Sequence, residues 1–133
     1  MINVSCLCGD IQFKVKGDLT DVSFCHCSIC RKAGGSAFAA YGSTRINNIE
    51  WLSGENNLRR YTVSELLTKL FCQQCGATLI THHAEEPDLY HISLGNIQGS
   101  AELRPSYHQF VGSKANWYAI TDDLQQYLAW PDE

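Results

Sequence analysis

Seven cysteines in three tight groups constrain this chain more than any other feature: Cys6 and Cys8, then Cys25, Cys27 and Cys30, then Cys72 and Cys75. No cysteine stands outside a group. A lone buried cysteine behaves as a small hydrophobe, whereas clusters at these spacings read as metal ligands or redox thiols. The count is odd, and the stretch from Met1 to Cys6 has no basic segment and no long apolar run. Both facts argue against an exported disulfide framework. The chain has 133 residues, a net charge of −4 and 44% hydrophobic residues, the make-up of a globular domain. Broad binding to a phosphate backbone needs an excess of Lys and Arg, so nucleic acid is not an expected partner. No run of 18 apolar residues is present, so the expectation is a cytoplasmic protein that does not enter a membrane.

Zinc favours soft thiolates in a tetrahedron, and a structural site takes four protein ligands. A two-cysteine motif supplies two of them, so a closed site needs two motifs from separate segments. Cys6-Leu7-Cys8-Gly9 and Cys72-Gln73-Gln74-Cys75-Gly76 make the natural pair. In each, glycine follows the second cysteine, where it lets the backbone turn left-handed and aim amide N–H groups at sulfur. Cys25, Cys27 and Cys30 are then left as three. Three protein ligands with one open position is the pattern of a catalytic zinc. A zinc on three thiolates is electron-rich, better suited to holding a substrate thiol as a nucleophile than to polarising a carbonyl strongly. Two other readings stay open at this point: a second structural site closed by His82, His83, His91 or His108, or a bare redox cluster. The closed site would make the protein a non-catalytic, zinc-stapled binding module.

Between the cysteines the pattern is short strands. Ile11, Phe13 and Val15 alternate with Gln12, Lys14 and Lys16, the signature of a half-buried strand. Val22 with Phe24, then 37–41, 49–52, 58–63 and 66–71, read as further strands. Segments 77–81 and 89–94 are predicted to pair across Glu85-Glu86-Pro87-Asp88. Ser28 to Lys32 suits one helical turn. Thr121 is expected to cap a short helix, with Leu124, Tyr127 and Leu128 on one face and Pro131 closing it. Trp51, Tyr61, Trp117, Tyr118 and Trp130 are assigned mostly to the core. The absence of a repeat or linker predicts a single mainly β domain over residues 1–133. His83-Ala84-Glu85 fits the H-x-E of zinc deaminases, but its C-x-x-C lies upstream, the wrong order.

At these residues the chain resembles the glutathione-dependent formaldehyde-activating enzyme family, whose domain is shared with centromere protein V. The matching stretches are Ser5-Cys6-Leu7-Cys8-Gly9, the run from Cys25 to Gly34, and Phe71-Cys72-Gln73-Gln74-Cys75-Gly76. A further match runs from His108 to Ala115 with Trp117 and Asp122-Asp123-Leu124. Leu7 stands where members often have His, and Asn116 where many have Pro. The resemblance implies an Mss4-like zinc-binding fold of short antiparallel strands with little helix. It implies structural zinc on Cys6, Cys8, Cys72 and Cys75 and catalytic zinc on Cys25, Cys27 and Cys30. It implies a carbon–sulfur lyase that joins a small thiol, glutathione, to formaldehyde as S-hydroxymethylglutathione. The addition needs a donor for the carbonyl oxygen, and the sequence offers His26, Arg31, Lys32, His108 and Lys114.

Overall fold

Alternation of buried and exposed side chains sets the architecture. The computed structural model describes residues 1–99 and 102–131. In chain order the strands are β1 (Ile2–Ser5), β2 (Gln12–Val15) and β3 (Thr20–Cys25), then helix α1 (Ser28–Gly34). They continue with β4 (Ala39–Arg45), β5 (Ile49–Ser53), β6 (Leu58–Thr62), β7 (Leu67–Cys72), β8 (Thr78–His83) and β9 (Leu89–Ser93). The last three are β10 (Ile97–Gln98), β11 (Tyr107–Gln109) and β12 (Gln125–Gln126). One sheet has the order β10-β1-β2-β5, the other β12-β11-β3-β4-β9-β8-β7-β6. The fold is therefore mainly β with one short α-helix among the described residues, as the sequence predicts. One detail departs from a purely antiparallel plan: β11 runs parallel to both β3 and β12.

The two sheets bury one face each in a common core. Val4, Phe13 and Val15 from the small sheet meet Leu70, Leu79, Ile80 and Ile92 from the large one. Because side chains alternate along a strand, the large sheet turns its other set of positions away from this core. Register decides which residues share that second face. Ser43 on β4 lies opposite His91 on β9, His91 opposite Thr81 on β8, and Thr81 opposite Lys69 on β7. On the other side, Gln109 of β11 lies opposite Cys25 of β3.

Two expectations fail. No helix follows Thr121: the Asp122 carboxylate accepts from His108 Nε2 at 2.9 Å, and 125–126 instead join β11 as a strand. Tertiary hydrogen bonds outweigh the local capping signal. The aromatic residues are also less buried than predicted, since Tyr61, Trp117 and Trp130 are all exposed. Among the described residues no helix is long and apolar enough to cross a membrane.

Candidate metal centres and the cavity beside them

The first group assembles from two turns of one design. After β1, Gly9 N–H donates to Cys6 O, Gly9 has φ +81°, and Ile11 N–H donates to Cys6 Sγ at 3.3 Å. After β7, Gly76 N–H donates to Cys72 O, Gly76 has φ +79°, and Gln74 N–H donates to Cys72 Sγ at 3.4 Å. The left-handed glycines are as the sequence predicts, and each turn aims an amide at sulfur, from Ile11 and Gln74, while the glycine amides close the turns on carbonyls. Cys6, Cys8, Cys72 and Cys75 place their four sulfurs within 4.8 Å of one another. Sulfurs at the ~2.3 Å zinc–thiolate distance form a tetrahedron with edges of about 3.8 Å. The separations of 3.6 Å for Cys6–Cys8 and 3.9 Å for Cys8–Cys72 fit that edge.

The second group follows from a strand running into a helix. Extended backbone puts Cys25 and Cys27 on one side and His26 on the other. Cys27 then caps α1, its sulfur accepting from Cys30 N–H at 3.3 Å, so that Cys30 turns back over it. The three sulfurs lie within 4.8 Å of one another, and among the described residues no His, Asp or Glu atom joins them. Every histidine weighed as a closing ligand is engaged elsewhere. His82 Nε2 bonds Pro87 O, and His83 Nδ1 accepts from Glu85 N–H. His91 is held by Ser43 and Glu86, and His108 by His26 and Asp122.

Crowding divides the three thiols. Sharing hydrogen bonds with Cys25 and Cys30 holds the Cys27 thiol down at about 2. Cys25 is pushed well up by those same thiol contacts, to Cys27 first, and by burial. One thiolate forms readily and the next is opposed by its charge. A divalent cation is what lets all three ionise together, so the donor set fits a metal ion.

A cavity of about 750 Å³ lies against this trio and is floored by the outward face of the large sheet. Its walls include Ile29, Leu66, Leu67, Phe110 and Trp130, and its floor holds Tyr41, Lys69 and Thr81. None of the five donors chosen from sequence lines it. His26 and His108 are buried on the far side, Nε2 to Nδ1 at 2.8 Å, packed against Phe38. A carboxylate only accepts, so His108 gives its Nε2–H to Asp122 and takes the His26 Nε2–H on Nδ1. His26 Nδ1 is then a bare buried acceptor. Burial, with His108 beside it, holds His26 down at about 4, while the His108 hydrogen bond lowers Asp122. Lys114 is occupied by the carbonyls of Ala115 and Tyr118.

What the sequence reading missed is Lys69. It is only 4% exposed, yet its Nζ donates to Tyr41 Oη at 2.8 Å and Thr81 Oγ1 at 2.9 Å and lies 3.8 Å from Cys30 Sγ. Tyr41 Oη is itself 3.3 Å from that sulfur. Burial first, then the charge that Cys30 carries when ionised, push the Tyr41 hydroxyl well above its usual range, so it stays a donor. Among the described residues Lys69 has no carboxylate partner. A buried ammonium needs a counter-charge, and sulfur in the thiolate form is the one at hand. The signal available was faint: a lysine inside the apolar run Leu66-Leu67-Thr68-Lys69-Leu70-Phe71.

Comparison with known proteins agrees with this geometry. The sequence profile of the glutathione-dependent formaldehyde-activating enzyme family matches residues 1–113. A protein of Schizosaccharomyces pombe named an uncharacterized lyase is 30% identical over 92% of this chain and 88% of its own length. A Halomonas elongata protein carrying the family's name is 27% identical over 100% of this chain and 90% of its own. The crystal structure of a Rhodobacter sphaeroides protein shares the fold, with a TM-score of 0.62 at 22% identity, covering 74% of this chain and 90% of that one. With its profile spanning most of the sequence and all seven cysteines gathered in two groups, this chain belongs to the glutathione-dependent formaldehyde-activating enzyme family.

Proposed function

We propose that this chain is a zinc-dependent enzyme of the carbon–sulfur lyase type, forming or cleaving the adduct between a small glutathione-like thiol and a small aldehyde such as formaldehyde. Cys6, Cys8, Cys72 and Cys75 would hold a structural zinc, and Cys25, Cys27 and Cys30 a catalytic one. The observation that carries the reading is that the trio of sulfurs, joined by no fourth donor among the described residues, lines a cavity of about 750 Å³. Zinc there would supply a soft cation that favours the thiolate form of a bound thiol at neutral pH. The protein's own groups prepare that setting. The Cys30 N–H on Cys27 Sγ and the Tyr41 hydroxyl beside Cys30 Sγ spread the negative charge of the trio. Ile29, Leu66, Phe110 and Trp130 give the cavity apolar walls against which the carbon chain of a thiol can pack. Thiol and aldehyde held together react as one encounter rather than two, which is the main source of rate expected here.

The test is Cys27→Ser with metal content measured beside activity. The expected variant keeps the fold, holds one zinc per chain instead of two, and makes the thiol–aldehyde adduct no faster than the spontaneous reaction. Undiminished turnover in a one-zinc protein would overturn the proposal.

A further inference from the structure

The reaction proposed above needs a group to receive the charge that gathers on the carbonyl oxygen, and the cavity holds one candidate placed for it. Lys69 spends two N–H donors on Tyr41 Oη and Thr81 Oγ1, at 2.8 and 2.9 Å. Its third N–H faces Cys30 Sγ at 3.8 Å, the longest of the three contacts and the one a harder carbonyl oxygen can displace. The donor most easily redirected thus sits at the junction of the cavity floor and the cysteine trio. Of the two histidines lining the cavity, His91 has both ring nitrogens engaged, by Ser43 and Glu86, and His83 accepts from Glu85 N–H on Nδ1 and packs against Trp130.

We infer that Lys69, aimed by Tyr41 and Thr81, is the aldehyde-binding catalytic residue, its ammonium donating to the carbonyl oxygen as the thiol sulfur adds. This rests on the reaction proposed above. The thiol gives its proton to solvent on binding, and its sulfur lone pair forms the new bond to the carbonyl carbon. The C=O π pair moves onto oxygen, where the Lys69 N–H meets it, and a proton from water completes the hydroxyl. The reverse path releases thiol and aldehyde with the same balance. No oxidant or reductant is required. A buried cation fixed by Tyr41 and Thr81 costs no reorganisation as that charge appears, which is why such donors have large effects.

The experiment compares wild type with Lys69→Met, Lys69→Arg and Thr81→Val, all zinc-loaded. Three readouts are taken: zinc per chain, the catalysed rate of adduct formation from glutathione and formaldehyde by NMR exchange, and calorimetric titration with formate on the glutathione-saturated protein. Formate is the probe because its oxygens carry the charge that the carbonyl oxygen acquires. Lys69→Met is expected to keep two zincs and its glutathione affinity, while kcat falls about 100-fold and formate affinity at least about tenfold, the scale of losing one such donor. Lys69→Arg should restore formate binding to within about threefold. Thr81→Val, a near-isosteric change, should lower kcat several-fold with the KM for glutathione unchanged. It carries the test alone if Lys69→Met does not fold, and wild-type kcat and formate affinity in it would then overturn the inference. So would Lys69→Met with both zincs and a kcat within threefold of wild type. Loss of one zinc in Lys69→Met, restored together with the rate by Lys69→Arg, would also overturn it, in favour of charge balance at Cys30. A wild-type protein that binds formate through Lys69 but makes no adduct would overturn the proposed reaction and uphold the oxyanion subsite.

Discussion

Replacing Cys8 by serine separates a metal staple from four neighbouring thiols. Cys8 is exposed, so the substitution removes almost no packing. An exposed position of that kind ordinarily changes stability by less than about 0.5 kcal/mol. Its sulfur, however, lies 3.9 Å from that of Cys72, 64 residues along the chain. Closing a loop of that length costs about (3/2)RT ln 64, roughly 3.7 kcal/mol of chain entropy. A metal ion holding both turns contributes that closure and more, since structural zinc binds with an apparent free energy on the order of 10–16 kcal/mol. Losing the tie would remove a large part of the ~5–15 kcal/mol by which a domain is stable. With a urea m-value near 2 kcal/mol/M, the unfolding midpoint should fall by roughly 2 M. The assay is urea unfolding followed by tryptophan fluorescence, with zinc counted before and after. The variant should lose one zinc and show most of that fall in midpoint, and wild type stripped of its zinc by a strong chelator should unfold at least as early. A midpoint within about 0.3 M of wild type, with both zincs retained, would refute the reasoning.

Gly54 follows strand β5 and packs against the backbone of Asp10 and Ile11, next to the turn that carries Cys8. It has φ +73°, and a Cβ there would sit 2.2 Å from Asp10 O. Gly54→Ala should therefore cost about 2–3 kcal/mol or more and weaken zinc retention, read by denaturation and by zinc release to a chromogenic chelator. At the cavity rim, Glu85 is exposed and faces a ligand that would bring two carboxylates if it is glutathione. Glu85→Gln should lower the KM for glutathione by roughly twofold and leave that for the neutral thiol 2-mercaptoethanol unchanged. Equal effects on both thiols would show that charge at Glu85 does not select the substrate.

Local information carried some of this structure and not the rest. The alternation Ile11-Phe13-Val15 buries all three side chains fully, Phe13 and Val15 within β2 and Ile11 just ahead of it, because period two is a property of the extended backbone itself. The gathering of sulfurs was also legible, since C-x-C along extended chain and C-x-x-C around a turn each bring two thiols to one side. The segment after Thr121 was not. Its capping residue and acidic first turn are local signals, but Asp122 finds a better partner in His108, which no local pattern announces. Lys69 was invisible for a related reason. A lysine between Thr68 and Leu70 reads as solvated until the register places it opposite Thr81 and the fold brings Tyr41 and Cys30 against it. The same non-local cause removes His26 and His108 from the list of donors. Sequence nearness to the cysteines put His26 forward and the C-terminal segment offered His108, but the two rings bond each other away from the cavity.

The central claim is that Cys25, Cys27 and Cys30 grip zinc and leave it a place for a substrate sulfur. Zinc X-ray absorption on the purified protein, recorded before and after adding a small thiol, addresses it directly. Two zincs per chain should show about 3.5 sulfurs each on average, from one site of four and one of three, rising to about 4 when the thiol binds. A single zinc, or an average of four sulfurs from the outset that the thiol leaves unchanged, would contradict it.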